Sequence, residues 1–132
     1  FYIASFIQFT LPGVPCIYYG DEIGMYGFRD PYNRQTFNLK DKDDEVLAFY
    51  QELTNFRHKY QEDFKADCDI IKVTDGCIAY KRGKLLCIIN LDNSAHFIAN
   101  YSGEIRYQKG ELYPTPYGIV VGPNSFGAIQ LD

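Results

Sequence analysis

Asp30 and Arg34, in the stretch Asp-Pro-Tyr-Asn-Arg, put a carboxylate and a guanidinium on one short loop. A carboxylate accepts hydrogen bonds from paired hydroxyls and an arginine fork donates to neighbouring ones, so the two could hold a hydroxyl-rich ligand. They could equally brace the loop as a local ion pair, worth about 0–1 kcal/mol if exposed. Asp21 and Glu22 are a second pair of acids. Adjacent residues leaving a strand point opposite ways, so these two do not naturally face one reacting bond and read as scaffold. Asp41, Asp43, Glu45 and Glu52 match several ligand positions of a calcium loop, but Val46 stands where that loop requires glycine. The cysteines at 16, 68, 77 and 87 form no C-x-x-C pair and have no histidine at zinc spacing. His58 and His96 are isolated and read as a helix-end cation and a strand residue. These residues call for no metal and no cofactor.

The elements that must carry these residues fall into three regions. Phe1–Thr10 is apolar and stops before Pro12, as the tail of a helix would. Val14–Tyr19 is a continuous apolar run, which fits a strand buried on both faces in a parallel sheet. Gly20 to Asn38 then reads as a long loop at the carboxyl end of that strand, where α/β barrels place their sites. Over residues 41–60 the spacing of Val46, Phe49, Tyr50, Leu53, Phe56 and Tyr60 predicts an amphipathic helix. Asp41 or Asp43 can cap its start, and Arg57, His58 and Lys59 suit its end. From residue 67 the period changes. Cys68–Val73, Cys77–Arg82, Leu85–Asn90, His96–Ala99, Glu104–Tyr107, Ile119–Val121 and Phe126–Leu131 are short strands between turns, the pattern of an antiparallel sandwich. The fold class is therefore α+β, with residues 1–60 and 67–132 as its two parts.

Composition narrows the partners. The 132 residues contain 13 Lys and Arg against 17 Asp and Glu, a net charge of −4, which argues against nucleic acid. No stretch reaches the roughly 18 apolar residues of a membrane span. The chain begins with Phe, so it reads as starting inside something larger. Each cysteine lies in an apolar or strand-like context. Buried free thiols are the leading reading, leaning towards a reducing, cytoplasmic compartment, while a Cys77–Cys87 bridge across a hairpin stays open.

The stretch Leu11-Pro-Gly-Val-Pro-Cys-Ile-Tyr-Tyr-Gly-Asp-Glu-Ile-Gly-Met25, followed by Asp30-Pro-Tyr-Asn-Arg34, resembles the eighth strand and following loop of the α-amylase superfamily barrel. Within that superfamily it is most similar to the neopullulanase, cyclomaltodextrinase and maltogenic amylase group. Asn55–Tyr60, Ala79–Arg82 and Leu86–Asn90 follow in the family's order. The resemblance implies the last strand and helix of a (β/α)8 barrel followed by a C-terminal β-sandwich. It implies a parent enzyme that cleaves or transfers α-glucosidic bonds with retention, on maltooligosaccharides, cyclodextrins or pullulan. Its catalytic carboxylates would stand on earlier barrel strands, so this chain alone is expected to be inactive. Asp30 and Arg34 match the family's Asp-Pro-x-x-Arg motif, which implies contact with a glucose unit on the non-reducing side of the cleaved bond. A rival expectation is a non-enzymatic α-glucan-binding module that uses Tyr101, Tyr107, Tyr113 and Tyr117. A barrel strand without neighbours also leaves the apolar residues of Phe1–Tyr19 free, so this segment is expected to rearrange, to self-associate with a second copy of the chain, or to pack on the sandwich as a helix-and-strand arm.

Overall fold

The computed structural model describes residues 1–132. It has two helices, α1 (Tyr2–Thr10) and α2 (Asp44–Lys59). Eight strands follow: β1 (Cys68–Val73), β2 (Cys77–Arg82), β3 (Leu85–Asn90), β4 (His96–Ala99), β5 (Gly103–Lys109), β6 (Leu112–Thr115), β7 (Gly118–Val121) and β8 (Phe126–Leu131). Every strand pair is antiparallel. One sheet has the order β1-β2-β3-β8-β5 and the other β4-β7-β6.

The predicted helix over 41–60 forms as α2. Asp43 is its N-cap, with Oδ1 accepting from the amides of Glu45 at 2.9 Å and Val46 at 3.1 Å. That cap satisfies two otherwise orphaned donors and accounts for an acid at a position that also matched a calcium loop. Asp44 and Glu45 lie in the first turn and Arg57, His58 and Lys59 in the last, as the helix dipole favours.

The larger sheet is covered on both faces. Leu85, Cys87 and Ile89 of β3 point to the helices, where they meet Phe6, Phe9, Phe49, Leu53 and Phe56. Leu86 and Ile88 point the other way, towards Ile98, Leu112, Ile119 and Val121 of the small sheet. All six β3 residues are therefore buried, as period-two alternation requires when both faces are covered. The same alternation puts Cys77 in the second core and Cys87 in the first, so no bridge joins them. Burial pushes both thiols up. Cys16 departs from the buried-thiol expectation, because its segment is exposed. In a thiol titration of native protein Cys16 should react first, and Cys77 and Cys87 only on unfolding. A native titration that consumes all four thiols at one rate would contradict this packing.

Two arginines fasten the end of α1. Arg82 of β2 is 1% exposed and sends its fork to three carbonyls. Nη1 donates to Thr10 O at 2.6 Å, Nη2 to Phe64 O and to Ala66 O at 3.1 Å, and Nε also reaches Ala66 O at 3.3 Å. Arg57 of α2 donates to Phe9 O at 2.6 Å and Gly13 O at 2.8 Å, and lies 4.5 Å from the Phe64 ring centre. Tyr80 and Thr10 exchange a hydroxyl hydrogen bond of 2.5 Å beside them. The last carbonyls of a helix have no partner within it, and here cationic donors supply one.

Two sequence expectations change. Val14–Tyr19 forms no strand and belongs to no sheet, and Val14 is 94% exposed. An apolar run becomes a strand only when a neighbour completes its ladder, and within this chain none lies beside it. A strand absent from the expectation, β6, pairs with β7 at the edge of the small sheet. Pro114 is tolerated there because an edge strand need not donate on its open side.

Candidate functional site

The loop between residues 20 and 38 is set by its two ends. Gly20 (φ 93°) and Gly24 (φ 71°) bracket a 3-10 turn, Asp21–Ile23. Both adopt left-handed backbone that glycine enters without a Cβ clash. Ile23 is buried, and its carbonyl accepts from the Asp43 amide at 2.9 Å, which ties the turn to the start of α2. At the other end Tyr19 Oη donates to Gln35 O at 3.1 Å and closes the loop at its base. Glu22 Oε2 accepts from the Gly20 amide at 2.8 Å. It is thereby held within its own turn, in keeping with scaffold.

Asp30 and Arg34 meet at the loop tip. Arg34 Nε lies 2.8 Å from Asp30 Oδ1, and the two side chains are 71% (Arg34) and 64% (Asp30) exposed. The turn is stitched by Tyr32 N to Arg29 O at 2.9 Å and Arg34 N to Pro31 O at 3.0 Å. No other hydrogen bond or ion pair engages the Asp30 carboxylate or the Arg34 guanidinium. Tyr26, Phe28 and Tyr32 of the same loop are exposed. A cleft of about 610 Å³ opens elsewhere along the loop, lined by Tyr26, Gln35, Asn38, Asp41 and Asp43 and by neither Asp30 nor Arg34. The sequence pair is thus brought together as an exposed ion pair at the loop tip.

The other candidate residues separate. His58 is exposed on the last turn of α2. His96 has a partner that sequence spacing did not reveal: its Nε2 lies 3.1 Å from Asp92 Oδ2. His96, then Ser94 Oγ and the Asn93 amide, hold the Asp92 carboxyl below the usual carboxylate range. This cluster fastens the turn after β3. Of the four tyrosines, Tyr107 is packed in the first core, stacked on Phe6 at 5.6 Å, and Tyr101 packs against the second. Tyr113 and Tyr117 remain outward, at 54% and 80% exposure.

The chain is 31% identical over 109 residues to a Bacillus cyclomaltodextrinase, covering 76% of this chain and 20% of that protein. It is 43% identical over 61 residues to neopullulanase 2 of Thermoactinomyces vulgaris, covering 45% of this chain and 10% of that protein. The debranching enzyme of Nostoc punctiforme superposes on 98% of this chain with a TM-score of 0.83 at 21% identity, and the chain covers 30% of it. The chain belongs to the α-amylase superfamily. It matches no protein-family model. Its mixed α/β architecture with antiparallel sheets matches the C-terminal domains of superfamily enzymes. The chain spans a fifth or less of the curated superfamily relatives it matches. No helix is long and apolar enough to cross a membrane.

Proposed function

We propose that this chain is the C-terminal portion of a retaining α-glucan hydrolase or transglycosylase acting on maltooligosaccharides, cyclodextrins or pullulan. The observation that carries the reading is the 109-residue match to a cyclomaltodextrinase, which runs through both helical and β parts. Residues 1–60 act as the last strand, loop and helix of the barrel, and residues 67–132 as the C-terminal β domain. The unpaired Val14–Tyr19 segment takes its ladder from the preceding barrel strand. Asp30 and Arg34 bind a glucose unit on the non-reducing side of the cleaved bond, Asp30 accepting from hydroxyls and Arg34 donating. Retention needs a nucleophile and an acid/base about 5–5.5 Å apart. In the enzymes this chain resembles these stand on earlier strands, so the chain alone is structural and inactive. A cytoplasmic setting accords with four unbridged cysteines.

The test joins this chain to the part of the Bacillus cyclomaltodextrinase outside its match, with release of reducing sugar from maltotriose and β-cyclodextrin as the readout. The joined protein should hydrolyse and the chain alone should not. Hydrolysis by the chain alone, or a joined protein that folds but stays inert, would overturn the reading. The same reading expects the isolated chain to associate through Val14, Ile17, Tyr18 and Tyr19, all exposed. Sedimentation equilibrium should show mass rising with concentration, and Ile17→Lys with Tyr18→Lys should restore the monomer.

A further inference from the structure

The outer face of the small sheet carries aromatic residues and no charge. Antiparallel register places Phe97 of β4, Val120 of β7 and Tyr113 of β6 in one row across the strands. Ala99, Gly118 and Thr115 form the next row on the same face. Their neighbours Ile98, Ile119 and Leu112 point into the core, so alternation turns both rows outward, with Val120 and Thr115 partly exposed and Gly118 buried. Phe97 and Tyr113 are 43% and 54% exposed. A Cβ on Gly118 would come within 2.7 Å of Phe97 Cζ, so the ring lies down over the glycine instead of standing off the sheet. Tyr117, 80% exposed between Pro116 and Gly118, stands at the tip of the β6–β7 hairpin beside these rows. Neither row carries a charge, in a chain with 30 charged residues. The nearby cation, Lys72, donates to Phe97 O at 2.7 Å.

We propose that this platform is a second α-glucan-binding surface, separate from the Asp30–Arg34 loop. The inference rests on the reading of the parent as an α-glucan enzyme for the identity of its ligand. The loop is tied to α2, on the helix-covered side of the five-stranded sheet, and the platform faces outward on the other side. A neutral, hydroxyl-rich chain suits it because ring faces stack on the C–H faces of pyranoses without charge. Tyr113 and Tyr117 hydroxyls can hydrogen-bond the sugar edges. Phe97 and Tyr113 stand two strands apart, about 10 Å, so they would contact separate glucosyl units of one chain. The occupant is a glucan polymer, and the surface would hold the enzyme on its substrate while the barrel cuts elsewhere.

Native electrophoresis of the chain through gels containing amylopectin tests this. The chain should be retarded, and Tyr113→Ala should raise the dissociation constant about tenfold, equivalent to about 1.4 kcal/mol. Tyr117→Ser and Phe97→Leu should weaken retardation likewise, the latter keeping apolar cover over Gly118. Tyr113→Phe should retain most of it, and Asp30→Ala with Arg34→Ala should leave it intact. Wild-type protein that runs unretarded would overturn the inference, as would equal retardation by a soluble β-glucan. So would retardation that survives Tyr113→Ala, or that disappears with the Asp30 and Arg34 substitutions. The parent reading is judged by hydrolysis in the joined protein, so failure of the platform leaves it standing.

Discussion

Arg82→Met should lower the stability of this chain by about 4 kcal/mol, read as a lower urea midpoint with little change in slope. The side chain is fully buried and donates to the carbonyls of Thr10, Phe64 and Ala66. A hydrogen bond to a charged group contributes about 1.5–3 kcal/mol, and a buried acceptor left alone costs its desolvation as well. Methionine fills the volume but satisfies no carbonyl, so a large share of a total stability of about 5–15 kcal/mol is lost. Arg82→Lys should recover only a minor part, since one ammonium cannot reproduce a planar fork that spans three acceptors. Arg57→Met should cost less, because Arg57 is only half-buried and burial, with the neighbouring Arg82, already lowers its pKa. Equal, small losses for both variants would mean that water replaces the donors and that the clamp is dispensable.

In the joined enzyme, Asp30→Ala should lower kcat/KM for maltotriose about a hundredfold. Two charge-assisted hydrogen bonds to the sugar at about 1.5 kcal/mol each give about 3 kcal/mol, which is roughly that factor. Arg34→Ala should cost a similar amount. The double variant should lose little more than either single one, because each residue orients the other through the 2.8 Å contact. If the pair only braces the loop, the exposed contact is worth at most about 1 kcal/mol, and kcat/KM should fall less than about fivefold. The two readings differ enough for one set of initial rates to separate them.

What the sequence made legible was whatever depends on local period. The α2 stripe and its Asp43 cap are written within a few turns of chain. The alternation of β2, β3 and β8 survives because each strand packs on both faces. Asp30 and Arg34 were legible as a pair because one turn brings them together. Non-local matters were not. Val14–Tyr19 has the composition of a buried strand, but a ladder is a property of two segments. The Tyr113-Pro-Thr-Pro stretch reads as a loop until β7 offers it an edge. Arg82 closes the strand Cys77–Arg82, and nothing near it in sequence says that the carbonyl of Thr10 will arrive beside it. His96 looked isolated for a similar reason, its partner being an acid in a turn.

The clamp on α1 also bears on how such enzymes can be recombined. A gene crossover between α2 and β1 would look harmless on a linear map, falling between helix and sandwich. It would bring in an Arg82 with no helix end to grip, or a helix end with its carbonyls bare, and would divide an aromatic core shared by Phe6, Tyr107 and Phe126. Exchange of the β domain between relatives should therefore succeed when the crossover lies upstream of α1. The inherited module is then the helix pair together with its sandwich.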